Sequence, residues 1–527
     1  MVNLSYQGAV NALISWLALV LPGDEEVAAV KYQAPSRVPA SCPDYNDYSQ
    51  TPHGPYSDGT LGLPSMRPEP ECRTFHSEAM ERVISDMRER LEDPDLAMLF
   101  ENSFSQTIDT TVQYFDEEKN LAFIVTGDIT AQWLRDTGNQ FAHLYQLLPH
   151  DEKLQALVKA VINTEARYIH QFPYCGAFQP PPESGLAPTF NEYAYKVDIH
   201  PPVDNQTVFE CKYELDSLAG FLKMAHRYYK YTSDDSFIND NFKAAMHSIM
   251  TLIEHESLPT WDDDFNVVSF YSFTGLPGSP SPSVKNDGVG EPRAGNGLVA
   301  THHRPSDDLC VYPYMTSDNA MLAVELENIA QVLEATGTME HVATAAQERA
   351  KTIREAIWAH TITPSGIFAY ETDGFGSISI MSDANVPDLV SLPYIGFLDR
   401  SDETYQRTKA AMFSRQNPYY GEGGGFKGFG GPHAGLAHPW PMSLVSGIYG
   451  TDDDEEIKGR LQMLLNSTAG LGLIHESVNI HDMSDFTRPW FAWANSYFAE
   501  MILDLAERKP HLIFADAQPY VPGTSWN

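Results

Sequence analysis

Two carboxylate-bearing stretches carry the strongest chemical signal in the sequence. THHRPSDDLCVYPYMTSDN (Thr301–Asn319) sets Arg304 just ahead of the adjacent pair Asp307 and Asp308. Neighbouring carboxylates repel, and partial burial raises the pKa of one of them, as a general acid requires. An aspartate just ahead of a helix is also an ordinary N-cap. In GLIHESVNIHDMSDFTRPWFAWAN (Gly472–Asn495), Glu476 follows a small apolar run, with His475 beside it and Arg488, Trp490 and Trp493 soon after. A carboxylate in aromatic surroundings suits a general base or nucleophile.

Three further stretches add binding groups. VTGDITAQWLRDTGNQ (Val125–Gln140) runs from a strand-like segment into a helix that carries Trp133, Arg135 and Asp136. An indole face with an Arg–Asp pair matches a sugar, whose C–H face stacks while charged groups grip hydroxyls. In CKYELDSL, Glu214 and Asp216 stand at i, i+2 and cannot share a helical face, so at least one turns to a cavity or a neighbouring loop. The glycine-rich Gly421–Met442 projects His433, His438 and Trp440, but lacks the GK[ST] of a phosphate loop. Zinc held by His433 and His438 is a minor reading, because the histidines lack the HExxH type of spacing.

These residues need a scaffold with long loops. Helical periodicity runs from residue 74 onward, beginning with SEAMERVISDMRERL and continuing near 95–114, 129–148, 151–171, 213–231 and 234–256. It resumes near 316–336, 339–360, 402–413, 440–449, 453–466 and 490–507. About twelve helices in consecutive pairs, joined by long connections at 175–210, 258–311, 362–392 and 419–439, fit an all-α (α/α)6 barrel. An irregular helical protein, or two helical domains, is the plainer alternative.

The remainder of the chain bounds the setting. Against 34 Lys+Arg stand 71 Asp+Glu, a formal net charge of -37, which repels phosphate backbones and anionic lipid and argues against nucleic acid or membrane partners. A neutral sugar meets no such repulsion. Residues 1–21 contain an apolar run of signal-peptide length, AVNALISWLALVL, with no preceding Lys or Arg. Residues 22–73 read as a Pro/Gly-rich arm, and residues 74–527 as one catalytic domain. Cys42 and Cys72 bracket a segment too poor in core to hold itself, Cys175 and Cys211 flank a loop, and Cys310 is left over. With sequons at Asn3, Asn205 and Asn466, this pattern leads to the expectation of a secreted or secretory-pathway glycoprotein.

Together TGDITAQWLRDTGNQ, KYELDSL, RPSDD, GGPH with WPMS, and HESVN with TRPWFAWAN resemble glycoside hydrolase family 125, the metal-independent exo-α-1,6-mannosidases, over about Thr74 to Glu507. The N-terminal arm is similar to that of fungal members. The resemblance implies an (α/α)6 barrel, no metal or other cofactor, and an inverting mechanism. Asp307 or Asp308 would be the general acid and Glu476 the general base. It places Trp133, Arg135, Asp136, Glu214, Asp216, Arg304, His433, Trp440 and His475 around the terminal mannose, with Arg488 and Trp490 buttressing the base. The expected partner is a mannose-containing oligosaccharide or glycoprotein, and the expected state a monomer. The arm and an insertion-like loop at Phe270–Asn296 depart from the compact bacterial pattern and bear on the leaving-group side. Rival readings are a glucoamylase-like or trehalase-like hydrolase on the same ring, a calcium-dependent mannosidase, and a non-catalytic carbohydrate-binding protein. The last predicts a missing acid or base, yet both positions are occupied.

Overall fold

The computed structural model describes residues 38–524 and Trp526. The apolar run at residues 9–21 and the sequon at Asn3 lie outside the described residues.

Helices arise where the periodicity places them. Glu78–Arg90 buries Met80, Val83, Ile84 and Met87, spaced i, i+3, i+4, i+7, and the Ser77 hydroxyl caps it by accepting from Met80 N–H. Two layers follow. Leu134–Gln140 packs on Leu215–Thr232, which packs on Thr316–Thr336, while Pro441–Tyr449 packs on Ala492–Arg508, which returns to Leu134–Gln140. Outside this inner ring run Pro94–Thr110, Glu152–Gln171, Asp240–Glu256, Glu340–His360, Glu403–Met412 and Asp454–Asn466. Inner helices lead to outer ones through short links, and outer helices return to inner ones through long loops. All long loops therefore gather at the N-terminal ends of the inner helices. This is the (α/α)6 barrel expected from the sequence.

Three details differ from the periodicity reading. Glu78–Arg90 is an additional helix outside the pairs, and the sixth inner position is taken by a buried turn segment, residues 386–397. Pro387 and Pro393 withhold backbone donors there, so a regular helix cannot form. Tyr394 fills the ring instead, accepting from Lys223 Nζ at 2.9 Å and donating to Glu500 at 2.6 Å. The segment expected as a helix over 129–148 begins only at Leu134 and passes into a 3-10 turn after Gln140.

The described part of the arm is bound to this body. Cys42 bonds Cys72, Asn102 accepts from Met66 N–H, and the buried Arg67 pairs with Asp109 at 2.8 Å and Glu81 at 2.6 Å. The Tyr45 ring meets Trp490 edge-on at 5.1 Å. Cys175 bonds Cys211, and Cys310 is a free, half-buried thiol. Among the described residues no helix is long and apolar enough to cross a membrane.

Candidate active site

The inner helices bring their first turns to one place. Trp133 precedes Leu134–Gln140, whose first turn holds Arg135 and Asp136, and Glu214 precedes Leu215–Thr232, whose first turn holds Asp216. Asp318 opens Thr316–Thr336, while Trp440 and Phe491 precede the last two inner helices. Short antiparallel ladders fix how these residues enter. Gln132–Trp133 pairs with Ala177–Phe178, itself paired with Val208–Glu210, and Tyr314–Met315 pairs with Glu371–Thr372.

A cavity opens at this end. Of the residues singled out from the sequence, Trp133, Arg135, Asp136, Asp307, His433, Trp440, Glu476 and Arg488 line it. Asp307 adopts a left-handed backbone (φ 65°), accepts from Trp133 Nε1 at 3.3 Å, and lies 3.6 Å from an Arg135 nitrogen. Asp308 turns elsewhere, to Ser306 Oγ at 3.3 Å and His433 Nδ1 at 3.5 Å. Glu476 lies 3.1 Å from Arg488 Nε, and the same guanidinium donates to Asp128 at 2.5 Å. Arg488 is also left-handed (φ 51°). Strained non-glycine backbone thus occurs at both carboxylate-bearing walls, a pattern common at functional sites.

One guanidinium organises the charge. Arg135 lies 3.0 Å from Asp136, 2.9 Å from Glu214, 3.6 Å from Asp307 and 3.9 Å from Asp216. Nearby, Lys212 pairs with Glu210 at 2.8 Å. Two cations cannot neutralise five carboxyls, so protons must be retained. Burial pushes Asp136 up to about 6 and Asp216 up to about 7 against the pull of Arg135. Burial raises Glu214 well above the usual range, and Asp307, within hydrogen-bonding reach, adds to this. Burial also opposes ionisation of Asp307, but Arg135 and then Lys212 outweigh it and hold Asp307 well below the usual range. The two carboxyls are thus shifted in opposite senses, Glu214 towards its protonated form and Asp307 towards its ionised form. His433 is raised despite its burial, by Asp308 and Glu476.

Several buried polar atoms have no hydrogen-bond partner within the protein: the indole N–H of Trp440 and of Trp493, both amide atoms of Asn385, and both carboxyl oxygens of Asp216 and Asp318. Asn385, Trp440 and Trp493 line the cavity. Buried polar groups without partners are rare, and a polyhydroxylated ligand offers both the donors and the acceptors these lack.

Four residues expected around the sugar do not line the cavity. Glu214 and Asp216 are buried behind Arg135, which they brace. Arg304 is buried, donates from Nε to Glu371 at 2.6 Å and lies over the Tyr370 ring. Both ring nitrogens of His475 face backbone carbonyls, of Arg488 at 3.3 Å and Thr468 at 3.1 Å, and burial lowers its pKa to about 4. It stacks on Phe486 and directly precedes Glu476 in the chain. Trp490, expected to buttress the base, instead donates to Thr110 and backs the loop through its carbonyl, which accepts from Asp128 N–H. Conversely, the sequence reading passed over Asn385, Lys212, Asp128 and Asp318. Asn385 sits in MSDANVPD, which shows neither periodicity nor a paired-charge signal. His433 and His438 face Asp308 and Asp485, each at 3.5 Å, rather than each other. Among the described residues no group of three or more His, Cys, Asp or Glu side chains is placed to hold a metal.

Comparison with known proteins gives this geometry a family. Residues 93–503 match the model of the metal-independent α-mannosidases, GH125. The Meiotically up-regulated gene 157 protein of Schizosaccharomyces pombe is 44% identical over 487 residues, covering 90% of this chain and 95% of its own. A metal-independent α-mannosidase of Streptococcus pneumoniae, solved in a non-productive complex with α-1,6-mannobiose, superposes with a TM-score of 0.73 at 29% identity. That match covers 82% of this chain and 98% of the other. The chain belongs to glycoside hydrolase family 125.

Proposed function

We propose that this family 125 glycoside hydrolase releases single terminal α-1,6-linked mannose residues from mannose-containing oligosaccharides by one displacement with inversion. The observation that carries this reading is the pairing of Asp307 and Glu476 in the wall of one cavity, each on its own loop and each oriented by its own arginine. The cavity is floored by the first turns of the inner helices, so a chain can enter by its end only, which favours exo action. Asn385 and the indoles of Trp440 and Trp493 supply unpartnered groups for the hydroxyls.

In the reaction Glu476, held by Arg488, accepts a proton from a water that attacks the anomeric carbon. The bond from that carbon to the leaving oxygen breaks, and Asp307 protonates the oxygen. Asp307 takes this proton from Glu214, whose buried carboxyl favours its protonated form. An inverting enzyme needs roughly 6.5–9.5 Å between its two carboxyls to admit the water. Asp308 anchors His433 instead of reaching the sugar. The two disulfides, and the surface positions of Asn205 and Asn466, support residence in the secretory pathway.

The test is incubation of the purified protein, with excess chelator, with α-1,6-, α-1,2- and α-1,3-mannobiose, following the anomer released by NMR. Release of β-mannose from the α-1,6 disaccharide, abolished in Glu476→Gln, is expected. Release of α-mannose, or a requirement for calcium, would overturn the mechanism.

A further inference from the structure

Beyond the cavity mouth, the loop closed at its base by the Cys175–Cys211 bond carries aromatic side chains that the reaction described above does not use. Phe190 is 78% exposed and Tyr195 53% exposed, with ring centroids 6.0 Å apart. A large apolar ring left in water gains nothing from folding, and single exposed rings are common on protein surfaces. The backbone beneath this one, however, is fixed on both sides to the wall of the catalytic cavity.

On one side of Phe190, Thr189 Oγ1 donates to the Thr130 carbonyl at 3.1 Å. The side-chain amide of Gln179 then clamps the Thr189 backbone, accepting at 2.9 Å and donating at 2.8 Å. Thr130 follows Ile129, which lines the cavity. On the other side, Asn191 Nδ2 donates to the Phe209 carbonyl at 3.1 Å, and the Phe209 ring packs edge-on against Trp133 at 5.4 Å. Trp133 in turn donates to Asp307. The Phe190 ring is thus held in solvent by a support that ends on one side next to Ile129 of the cavity lining and on the other at Trp133, which contacts Asp307. Such a support conserves conformational entropy for a ligand that stacks there.

The surroundings match a sugar. Beside Phe190 and Tyr195 the same loop encloses a hollow of about 230 Å³, whose lining includes Asp198, Phe209 and Glu210. Strand Val197–His200 of this loop pairs in full with Ser272–Gly275 from the insertion Phe270–Asn296, so the insertion stiffens this rim. Aromatic faces next to carboxylate acceptors suit the C–H face and hydroxyls of a neutral hexose.

We propose that Phe190 and Tyr195, on the disulfide-closed loop, form a leaving-group subsite that stacks a mannosyl residue of the substrate beyond the bond being cut. This rests on the α-mannosidase reading and adds to it where the enzyme holds the remainder of the glycan. Asp307 protonates the leaving oxygen, so that residue must depart along the wall to which the Phe190 support is fixed.

The experiment compares two substrates that differ only on the leaving-group side. α-Mannosyl fluoride places nothing there, whereas α-1,6-mannotriose places two mannosyl residues. Phe190→Ala is expected to lower kcat/KM on mannotriose about tenfold, the weight of one aromatic contact, and to leave the fluoride unchanged. Tyr195→Ala is expected to do the same to a smaller degree, and Phe190→Trp to restore the loss. Equal losses on both substrates, or none on mannotriose, would overturn the subsite. A wild-type protein that cleaves neither substrate would refute the α-mannosidase reading itself, a separate outcome.

Discussion

Substituting Asp307 by Asn separates the acid from the binding groups around it. Asparagine keeps the shape that receives the Trp133 N–H at 3.3 Å, so binding of the sugar should change little. What it removes is the carboxyl that delivers a proton to the leaving oxygen. General acid catalysis contributes about 10²–10⁴-fold when the leaving group is a poor one. For α-1,6-mannotriose, whose leaving group is a sugar alcohol, kcat in Asp307→Asn should fall by about that factor with KM within a few fold. A dinitrophenyl α-mannoside leaves as a stable phenolate and needs no proton, so its hydrolysis should fall by less than about tenfold. Glu476→Gln should behave otherwise, since both substrates need the activated water, and both should collapse alike. Asp308→Asn should weaken both modestly and equally, because Asp308 contacts Ser306 and His433 rather than the leaving group. Steady-state kinetics of the three variants on the two substrates decides the matter. A leaving-group-dependent loss in Asp308→Asn, with equal losses in Asp307→Asn, would refute the assignment and exchange the roles of the two aspartates.

Removing the proton reservoir should alter pH dependence more than binding: Glu214→Gln keeps a partner for Arg135 but not a transferable proton. Its kcat on mannotriose should therefore decline at a lower pH than in the wild type, measured as a pH–rate profile. Arg488→Met frees Glu476 from its 3.1 Å contact and should lower kcat about 10–100-fold with little change in KM, in the manner of a displaced reacting group. Gly138→Ala would set a Cβ 2.8 Å from the Gly220 carbonyl, forcing apart the helices that carry Arg135 and Asp216. It should cost about 1–3 kcal/mol in denaturant unfolding and also lower kcat/KM, whereas Gly459→Ala, on an open helix surface, should gain up to about 1 kcal/mol. Stability should fall between about pH 6.5 and 8 in thermal melts. Glu165, raised to about 8 by burial, and Asp216, raised to about 7, hold protons that the unfolded chain releases near 4, so their contribution is lost as pH rises from there through 7–8. His143 and His475, lowered to about 4 by burial, stay neutral while unfolded histidines charge near 6.5, so their contribution is lost as pH falls from 6.5 towards 4 and offsets that of the carboxyls in that range.

Periodicity revealed the helices because most bury one stripe, as Met80, Val83, Ile84 and Met87 do. It failed where tertiary burial replaced the stripe. Residues 381–392 are almost continuously buried, so no pattern distinguishes this inner segment from a core loop, and its prolines point to a loop. Site residues were legible where unusual types cluster: WLRD, SDD and HES each brought a side chain to the cavity. Direction was not legible. KYELD and RPSDD look alike as motifs, yet Glu214 turns under Arg135 while Asp307 turns outward through a left-handed backbone that sequence does not mark. Asn385 was missed for the opposite reason, as a lone amide in a loop has no partner in sequence to draw notice.

The arrangement also explains why residues so far apart in the chain act together. Trp133, Glu214, Met315, Trp440 and Phe491 all stand at the position before an inner helix, and Asp136, Asp216 and Asp318 lie in first turns. A parallel ring of inner helices directs all these N-termini, with their partial positive charge, at one volume. That field favours carboxylates there, and Arg135 and Lys212 add to it. Burial and mutual repulsion work against it, and the two tendencies come close to balance. The result is a group of carboxyls beside one guanidinium, with Glu214 shifted towards its protonated form and Asp307 towards its ionised form. A single helix terminus could not hold so many acids without binding a counterion. The closed ring can, because each helix brings one or two and shares the repulsion among its neighbours.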